Sequence, residues 1–234
     1  MRRSTNALIH VGLSAVAVIL VLLLAFAEYS RQPVADENGR LLVSGAFLAS
    51  CAFGISLAVR PNWYRRIAAG RDHREKESPE EGGRRTLLGH HPDCEFFGGH
   101  RMALGGRAVC AGCFGIAIGA LLAVIMTICY VALVRKGIGD VAQKMVLIGS
   151  MTILIAFMET ALPRRSSVAH VVSNALIIIG LFLTAFGLLE ATGNQIVGFL
   201  GILFGYLWMD TRVRLSAWRH SLVCNRCGRS CKMY

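Results

Sequence analysis

Six long apolar segments, separated by more polar ones, dominate the pattern of hydrophobic and polar positions along this chain. They cover residues 7–27, 41–59, 111–134, 145–162, 169–189 and 192–209. Glu159 is the only formally charged residue inside them. An apolar helix of about 18 or more residues is long enough to cross the hydrocarbon core of a bilayer. The pattern therefore predicts an all-α membrane protein with about six transmembrane helices.

The composition agrees with this prediction and excludes several other classes. Of the 234 residues, 54% are hydrophobic and 17% are charged, whereas a soluble domain carries about a quarter charged residues. A soluble enzyme, a disordered chain and a secreted disulfide scaffold are thereby excluded. The first apolar segment is longer than a signal-peptide core of about 7–15 residues, so a retained anchor is favoured over a cleaved signal.

The distribution of basic residues predicts the orientation. With six spans, both termini share one side of the membrane with residues 60–110, and that side carries 20 of the 25 Lys and Arg residues. Basic residues accumulate on the cytoplasmic side, so both termini are expected in the cytoplasm, with the protein in the cell (inner) membrane. Topogenesis and anionic lipid headgroups account for the net charge of +11, and nucleic-acid binding is rejected.

The chain divides into four parts on this basis. Residues 1–60 form an N-terminal transmembrane hairpin, and residues 61–109 form a charged cytoplasmic linker with a Cys/His loop. Residues 110–210 form a four-helix transmembrane bundle, because the connections between these spans are short. Residues 211–234 form a basic, cysteine-rich cytoplasmic tail.

The Cys/His loop carries the most informative chemistry. Two residues separate His91 from Cys94, and two separate Cys110 from Cys113, with His100 between the pairs. Two such pairs suit the tetrahedral coordination of zinc, and Cys94, Cys110, Cys113 and one histidine would fill a structural site. Cytoplasmic thiols are normally reduced, so a disulfide is the weaker interpretation. The alternative is a redox-active dithiol formed by Cys110 and Cys113, because the start of a helix stabilises thiolate.

A second cluster lies in the tail and consists of Cys224, Cys227 and Cys231. Three cysteines are one ligand short of a closed zinc site, and His220 is the local candidate for the fourth ligand. Alternatively, the tail folds back onto residues 90–113 and two adjacent sites form there. A further alternative is an iron–sulfur cluster held by the three tail cysteines and Cys94.

The polar and small residues within the spans allow further interpretations. Glu159 is expected to contact Arg164 or His170 near the cytoplasmic surface, and the alternative is a proton or cation relay. Glycines at G-x-x-x-G spacing, at positions 115 and 119 and at positions 201 and 205, are expected to pack within the chain rather than to form a dimer face.

Residues 90–119 carry a motif, HHPDC followed by a later histidine and CAGCFG, that resembles an uncharacterised prokaryotic family of small membrane proteins. The residues that match its helix-opening motif are Cys110, Ala111, Gly112, Cys113, Gly115 and Gly119, and the variant resembles the archaeal branch. Phe114 stands where threonine is commoner in the family. The resemblance implies membership of this family and brings no activity with it.

The function expected from these features is that of a multi-pass membrane protein with a cytoplasmic, structural zinc site that organises an interaction surface. The expected partners are the lipid bilayer and a cytoplasmic protein; the sequence leaves the oligomeric state open. One alternative is an iron–sulfur or dithiol redox protein, and another is a metal-dependent membrane enzyme or a transporter that uses Glu159. No catalytic triad or nucleotide-binding fingerprint is visible, which argues against an enzyme.

Overall fold

A computed structural model describes residues 2–27, 35–59, 99–104, 107–134, 138, 140–162 and 166–226 of the chain. Within these ranges six helices form. They are α1 (Arg2–Ala27), α2 (Glu37–Val59), α3 (Ala111–Leu133), α4 (Asp140–Ala161), α5 (Ser167–Thr192) and α6 (Gln195–Arg226). All six are long and apolar enough to cross a membrane, as predicted. This is the helix set of a multi-pass membrane protein.

Successive helices run in opposite directions, so the bundle has two distinct ends. One end holds the starts of α1, α3 and α5 and the last turns of the other helices, together with a short β-hairpin; we call it the hairpin end. We call the other end the far end. Contacts between distant residues agree with this arrangement. The His10 carbonyl oxygen of α1 accepts from Thr211 of α6 at 3.2 Å, and one turn later along α1 the Ser14 carbonyl oxygen accepts from Trp208, which lies earlier on α6, at 3.3 Å.

Helix α5 forms the centre of the bundle. About 67% of the residues in its most apolar stretch are buried, whereas the corresponding share is 22–39% in the other five helices. It packs most extensively against α4 and α3, and then against α6. Phe182 and Phe186 of α5 meet Phe47 of α2 edge to face, with ring centroids 5.8 and 5.5 Å apart. Large apolar side chains cover the outside of the bundle, where a bilayer would solvate them.

Local sequence explains both ends of α5. The Ser166 side chain caps the helix by accepting a hydrogen bond from the Ala169 N–H at 3.4 Å, which satisfies an N–H group without a helical partner. Gly193 ends the helix with a positive φ of 63°, a conformation that glycine adopts without steric cost. The turn to α6 is therefore short, and α5 and α6 pack as antiparallel neighbours.

Close helix contacts follow the small residues, as predicted from the glycine spacing. A Cβ atom on Gly115 would lie 2.4 Å from the Val171 carbonyl oxygen, and one on Gly119 would lie 2.7 Å from the Cα atom of Ala175. Both residues contacted belong to α5 of the same chain. The prediction that this motif serves packing within the chain is confirmed.

The structure shows two features near the hairpin end that were not predicted from the sequence. Helix α6 continues to Arg226, where residues from 211 on were assigned to the tail, because no Gly or Pro lies between Gly205 and Arg226. Residues 101–109 were assigned to a loop, yet Arg101–Leu104 (β1) and Arg107–Cys110 (β2) form an antiparallel pair. The two glycines between Leu104 and Arg107 are the sequence signature of a two-residue hairpin turn.

Candidate functional site at the hairpin end

A group of polar side chains lies inside the bundle near the hairpin end. The Glu159 carboxylate, at the end of α4, is its centre and is 7% exposed. Nδ1 of His170 lies 3.1 Å from Oε1 of Glu159, and the Ser173 hydroxyl donates to Oε2 at 2.8 Å. The predicted contact between Glu159 and His170 is confirmed. The other predicted partner, Arg164, lies outside the described residues.

Arg212 of α6 completes this group, which sequence analysis did not foresee. Its guanidinium donates through Nη1 to the side-chain oxygen of Asn174 and through Nη2 to the Ser173 hydroxyl at 3.1 Å. Nη2 also lies 3.8 Å from Oε2 of Glu159, so the two opposite charges compensate each other inside the bundle. Nε of Arg212 is buried, and no acceptor for it exists among the described residues. A buried N–H group in this position is suited to a water molecule or a ligand.

Three histidines from separate parts of the chain meet beside this group. The ring of His100, just before β1, lies 4.4 Å from that of His170 and 5.2 Å from that of His220, measured between centroids. Both contacts are edge to face. His220 lies on the last turns of α6 and is buried. The extended α6 therefore brings the histidine expected to belong to the tail cluster against the histidine of the first cluster.

Two of the predicted cysteines lie at the junction between the hairpin and α3. Cys110 is the last residue of β2, and its side chain is fully buried, while Cys113 lies in the first turn of α3 and is 7% exposed. A Cβ atom on Gly112 would lie 3.8 Å from both the Cys110 sulfur and Nδ2 of Asn174. These two cysteines are thus adjacent to the polar group around Glu159.

The hairpin explains why His100 and Cys110 are close although nine residues separate them. In the antiparallel register Arg101 is opposite Cys110, so the residue before β1 lies next to the start of α3. Directly opposed residues in such a pair have Cα atoms about 4.5–5.5 Å apart. The register thus places an imidazole and two thiols at one corner of the bundle.

Of the other predicted ligands, the structure describes only Cys224. Cys224 is partly buried on α6, one helical turn beyond His220. His91, Cys94, Cys227 and Cys231 lie outside the described residues. Among the residues that the structure describes, no three His, Cys, Asp or Glu side chains are arranged to hold one metal ion. A complete metal site at this corner would therefore need donors from the remaining segments.

No family model, curated protein or solved structure matches the chain. The family resemblance of the CAGCFG motif therefore stays an expectation. Inferences about function rest on the geometry of this chain.

A second buried polar group, at the far end of the bundle, also went unnoticed in the sequence. The Arg40 guanidinium makes two hydrogen bonds to the Glu190 carboxylate, at 2.7 and 2.9 Å. The Tyr130 hydroxyl donates to the same carboxylate at 2.5 Å, and Nη1 of Arg40 also donates to the Val134 carbonyl oxygen at 3.2 Å. These contacts join α2, α3 and α5, which indicates a structural role.

A signal for this pair was present in the sequence. Arg40 and Glu190 each directly border an apolar segment, and both were assigned to connecting regions. Opposite charges that both border spans at the same end of a bundle can pair inside it, because a charge in an apolar bundle is costly unless it is paired.

Proposed function

We propose that this chain is a multi-pass protein of the cell (inner) membrane whose hairpin end faces the cytoplasm and carries a structural zinc centre. One zinc ion orders the loop around residues 91–113 and a second orders the C-terminal tail, and the two adjacent segments together shape a surface that docks a cytoplasmic protein. The orientation rests on the excess of basic residues on that side of the sequence. Under this orientation, the reduced cytoplasm keeps the cysteines available as ligands.

The observation that carries this proposal is the convergence of donors from both predicted clusters. The hairpin register places His100 next to the start of α3, where Cys110 and Cys113 lie, and the ring contact between His100 and His220 brings the last turns of α6 to the same end. This supports the alternative in which the tail folds back onto the first cluster. Zinc is the metal best suited to a mixture of imidazole and thiolate ligands.

The spacing of the residues in the sequence suggests two ligand sets. The first consists of Cys94, Cys110, Cys113 and one of His91 or His100, which leaves no coordination position open. The second consists of the three tail cysteines with His220 as the fourth ligand. Closed four-ligand sites stabilise structure and do not activate water. The proposed role is therefore structural, and the docking surface is formed by the loop and the tail that the zinc fixes.

Replacing both Cys110 and Cys113 with serine is expected to remove about one zinc ion per chain, because a serine hydroxyl is a far weaker zinc ligand than a thiolate. The measurement is elemental analysis by mass spectrometry on protein purified anaerobically in detergent. Cys129→Ser is the matched control, since Cys129 is an exposed cysteine further along the same helix. The control is expected to keep the wild-type zinc content. Equal zinc content in the double variant and the wild type would refute the first site.

The same preparation separates the redox alternatives from zinc. An iron–sulfur cluster gives a coloured protein with absorption above about 300 nm and iron in the elemental analysis. A metal-free dithiol titrates with redox buffer and contains neither metal. A colourless protein with zinc supports the proposal, and either of the other two results overturns it in favour of the corresponding redox protein.

A transporter or metal-dependent enzyme that uses Glu159 is the second candidate. The observation in its favour is the contact of this buried carboxylate with His170, Ser173 and Arg212, since intramembrane ionisable groups often mark ion paths. The same contacts also join α4, α5 and α6, as a structural group would. Structural zinc is preferred because the Cys/His motif explains more of the chain.

A further inference from the structure

A groove between α4 and α5 leads from the outside of the bundle to the Glu159 carboxylate. It has a volume of about 430 Å³, within the usual range of ligand pockets of about 300–1,000 Å³. Its apolar walls are formed by both helices. They consist of Met151, Leu154, Ile155, Met158, Val172 and Leu176. Glu159 and Ser173 are the two polar residues that line it.

The groove opens on the lipid-facing surface of the bundle. Met158 and Met151 on its α4 side are 60% and 59% exposed, and Val172 on its α5 side is 49% exposed. In a membrane these side chains contact acyl chains, since α4 and α5 are both long and apolar enough to span it. The molecules that can enter the groove are therefore those dissolved in the bilayer.

The polar end of the groove is suited to a neutral hydrogen-bond donor. Oε1 of Glu159 is within bonding distance of His170, and Oε2 accepts from Ser173. A carboxylate has about four acceptor positions, so these contacts leave room for another donor. Arg212 compensates the charge of the carboxylate from inside the bundle. The site therefore has little net charge to attract a cation or an anion, and a hydroxyl group suits it better than either.

We propose that this groove binds a neutral membrane lipid that carries a free hydroxyl group, such as a long-chain alcohol or a diacylglycerol. The hydroxyl donates to the Glu159 carboxylate, and the apolar tail lies along the walls formed by α4 and α5. The hydrogen bond to a charged acceptor is strong, so it distinguishes a lipid with a hydroxyl group from one without it. The apolar tail contributes to binding through its contacts with the walls of the groove. This proposal is independent of the zinc centre.

The test uses hexadecanol with a photoreactive diazirine in its chain and wild-type protein in liposomes. Two further probes, the methyl ether of the same alcohol and the corresponding amine, match it in chain length. Cross-linked peptides are identified by mass spectrometry. The alcohol is expected to label α4 and α5 about tenfold more than the ether, which cannot donate, since a hydrogen bond to a charged group has about this effect on binding.

Two variants locate the labelling. Leu154→Trp places a large side chain in the groove and is expected to remove the labelling by the alcohol. Ile148→Trp is the matched control, because Ile148 lies on the same helix, is 57% exposed and does not line the groove. It is expected to keep the labelling.

Three results would overturn the proposal, and the first two come from the wild-type protein alone. Equal labelling by alcohol and ether would show that the hydroxyl is not recognised. Stronger labelling by the amine would show a cation site. Unchanged alcohol labelling in a folded Leu154→Trp variant would place the probe elsewhere.

Discussion

Replacing Arg40 with methionine is expected to lower the free energy of unfolding by about 3–5 kcal/mol, the usual result of removing one partner of a buried ion pair. The Glu190 side chain is fully buried, and without Arg40 its charge would lack a compensating cation inside the bundle. The measurement is chemical unfolding in mixed micelles, followed by tryptophan fluorescence. Zinc content is expected to stay at the wild-type value, because the pair lies at the opposite end of the bundle from the proposed ligands Cys110 and Cys113.

Two further variants separate the buried charge from the loss of a side chain. The double variant Arg40→Met, Glu190→Gln is expected to recover much of the lost stability, since no uncompensated charge remains. Arg214→Gln removes an exposed partner from the pair with Asp210 on α6 and is expected to cost less than about 1 kcal/mol. A loss at Arg40 no larger than that at Arg214 would contradict the structural role of the far-end group.

Replacing Gly115 with valine is expected to destabilise the protein by about 3 kcal/mol, at the upper end of the cost of overpacking. A Cβ atom at this position would lie 2.4 Å from the Val171 carbonyl oxygen and 2.7 Å from the Asn174 Cβ atom. Backbone atoms cannot move aside as a flexible side chain can, so α3 and α5 must separate. The same unfolding measurement checks this expectation.

Gly45→Val is the matched control for this substitution. Gly45 is also a helical glycine, yet a Cβ atom on it would meet nothing within 4 Å. The control is expected to change stability by less than about 0.5 kcal/mol, because valine and glycine differ little in helix propensity. Similar losses at Gly45 and Gly115 would show that helix propensity, and not the contact between α3 and α5, decides the effect.

The number and type of the spanning helices could be predicted from the sequence because apolar length alone determines them. Each predicted segment lies largely within one helix of the bundle. The predicted span ends at residue 209 while α6 continues to Arg226, because hydropathy reports where a chain leaves an apolar environment and not where a helix ends. Residues 210–226 are polar enough to end an apolar segment and still contain no helix breaker.

The polar contacts inside the bundle could be predicted only in part. Glu159 and His170 are close in sequence, so their contact followed from the short connection between α4 and α5. The pairing of Arg40 with Glu190 and the position of Arg212 beside Glu159 depend on how the helices face each other. No local pattern reports this, and residues 150 positions apart can meet without any shared motif.

The same distinction between local and long-range contacts applies to the predicted metal ligands. The spacing of Cys110 and Cys113 predicted a local pair, and the structure places both at the start of α3. The contact of His100 with His220 depends on the hairpin and on the length of α6, and neither was predicted. The glycine pair between residues 104 and 107 was the available signal for the hairpin.

X-ray absorption at the zinc K edge of the purified full-length protein tests the central claim most directly, because it reports the ligands around the metal. The account predicts sulfur neighbours at about 2.3 Å together with nitrogen neighbours at about 2.0–2.1 Å. It also predicts that the sulfur signal falls in the variant with serine at positions 110 and 113. A protein without zinc, or zinc surrounded only by oxygen and nitrogen, would contradict it.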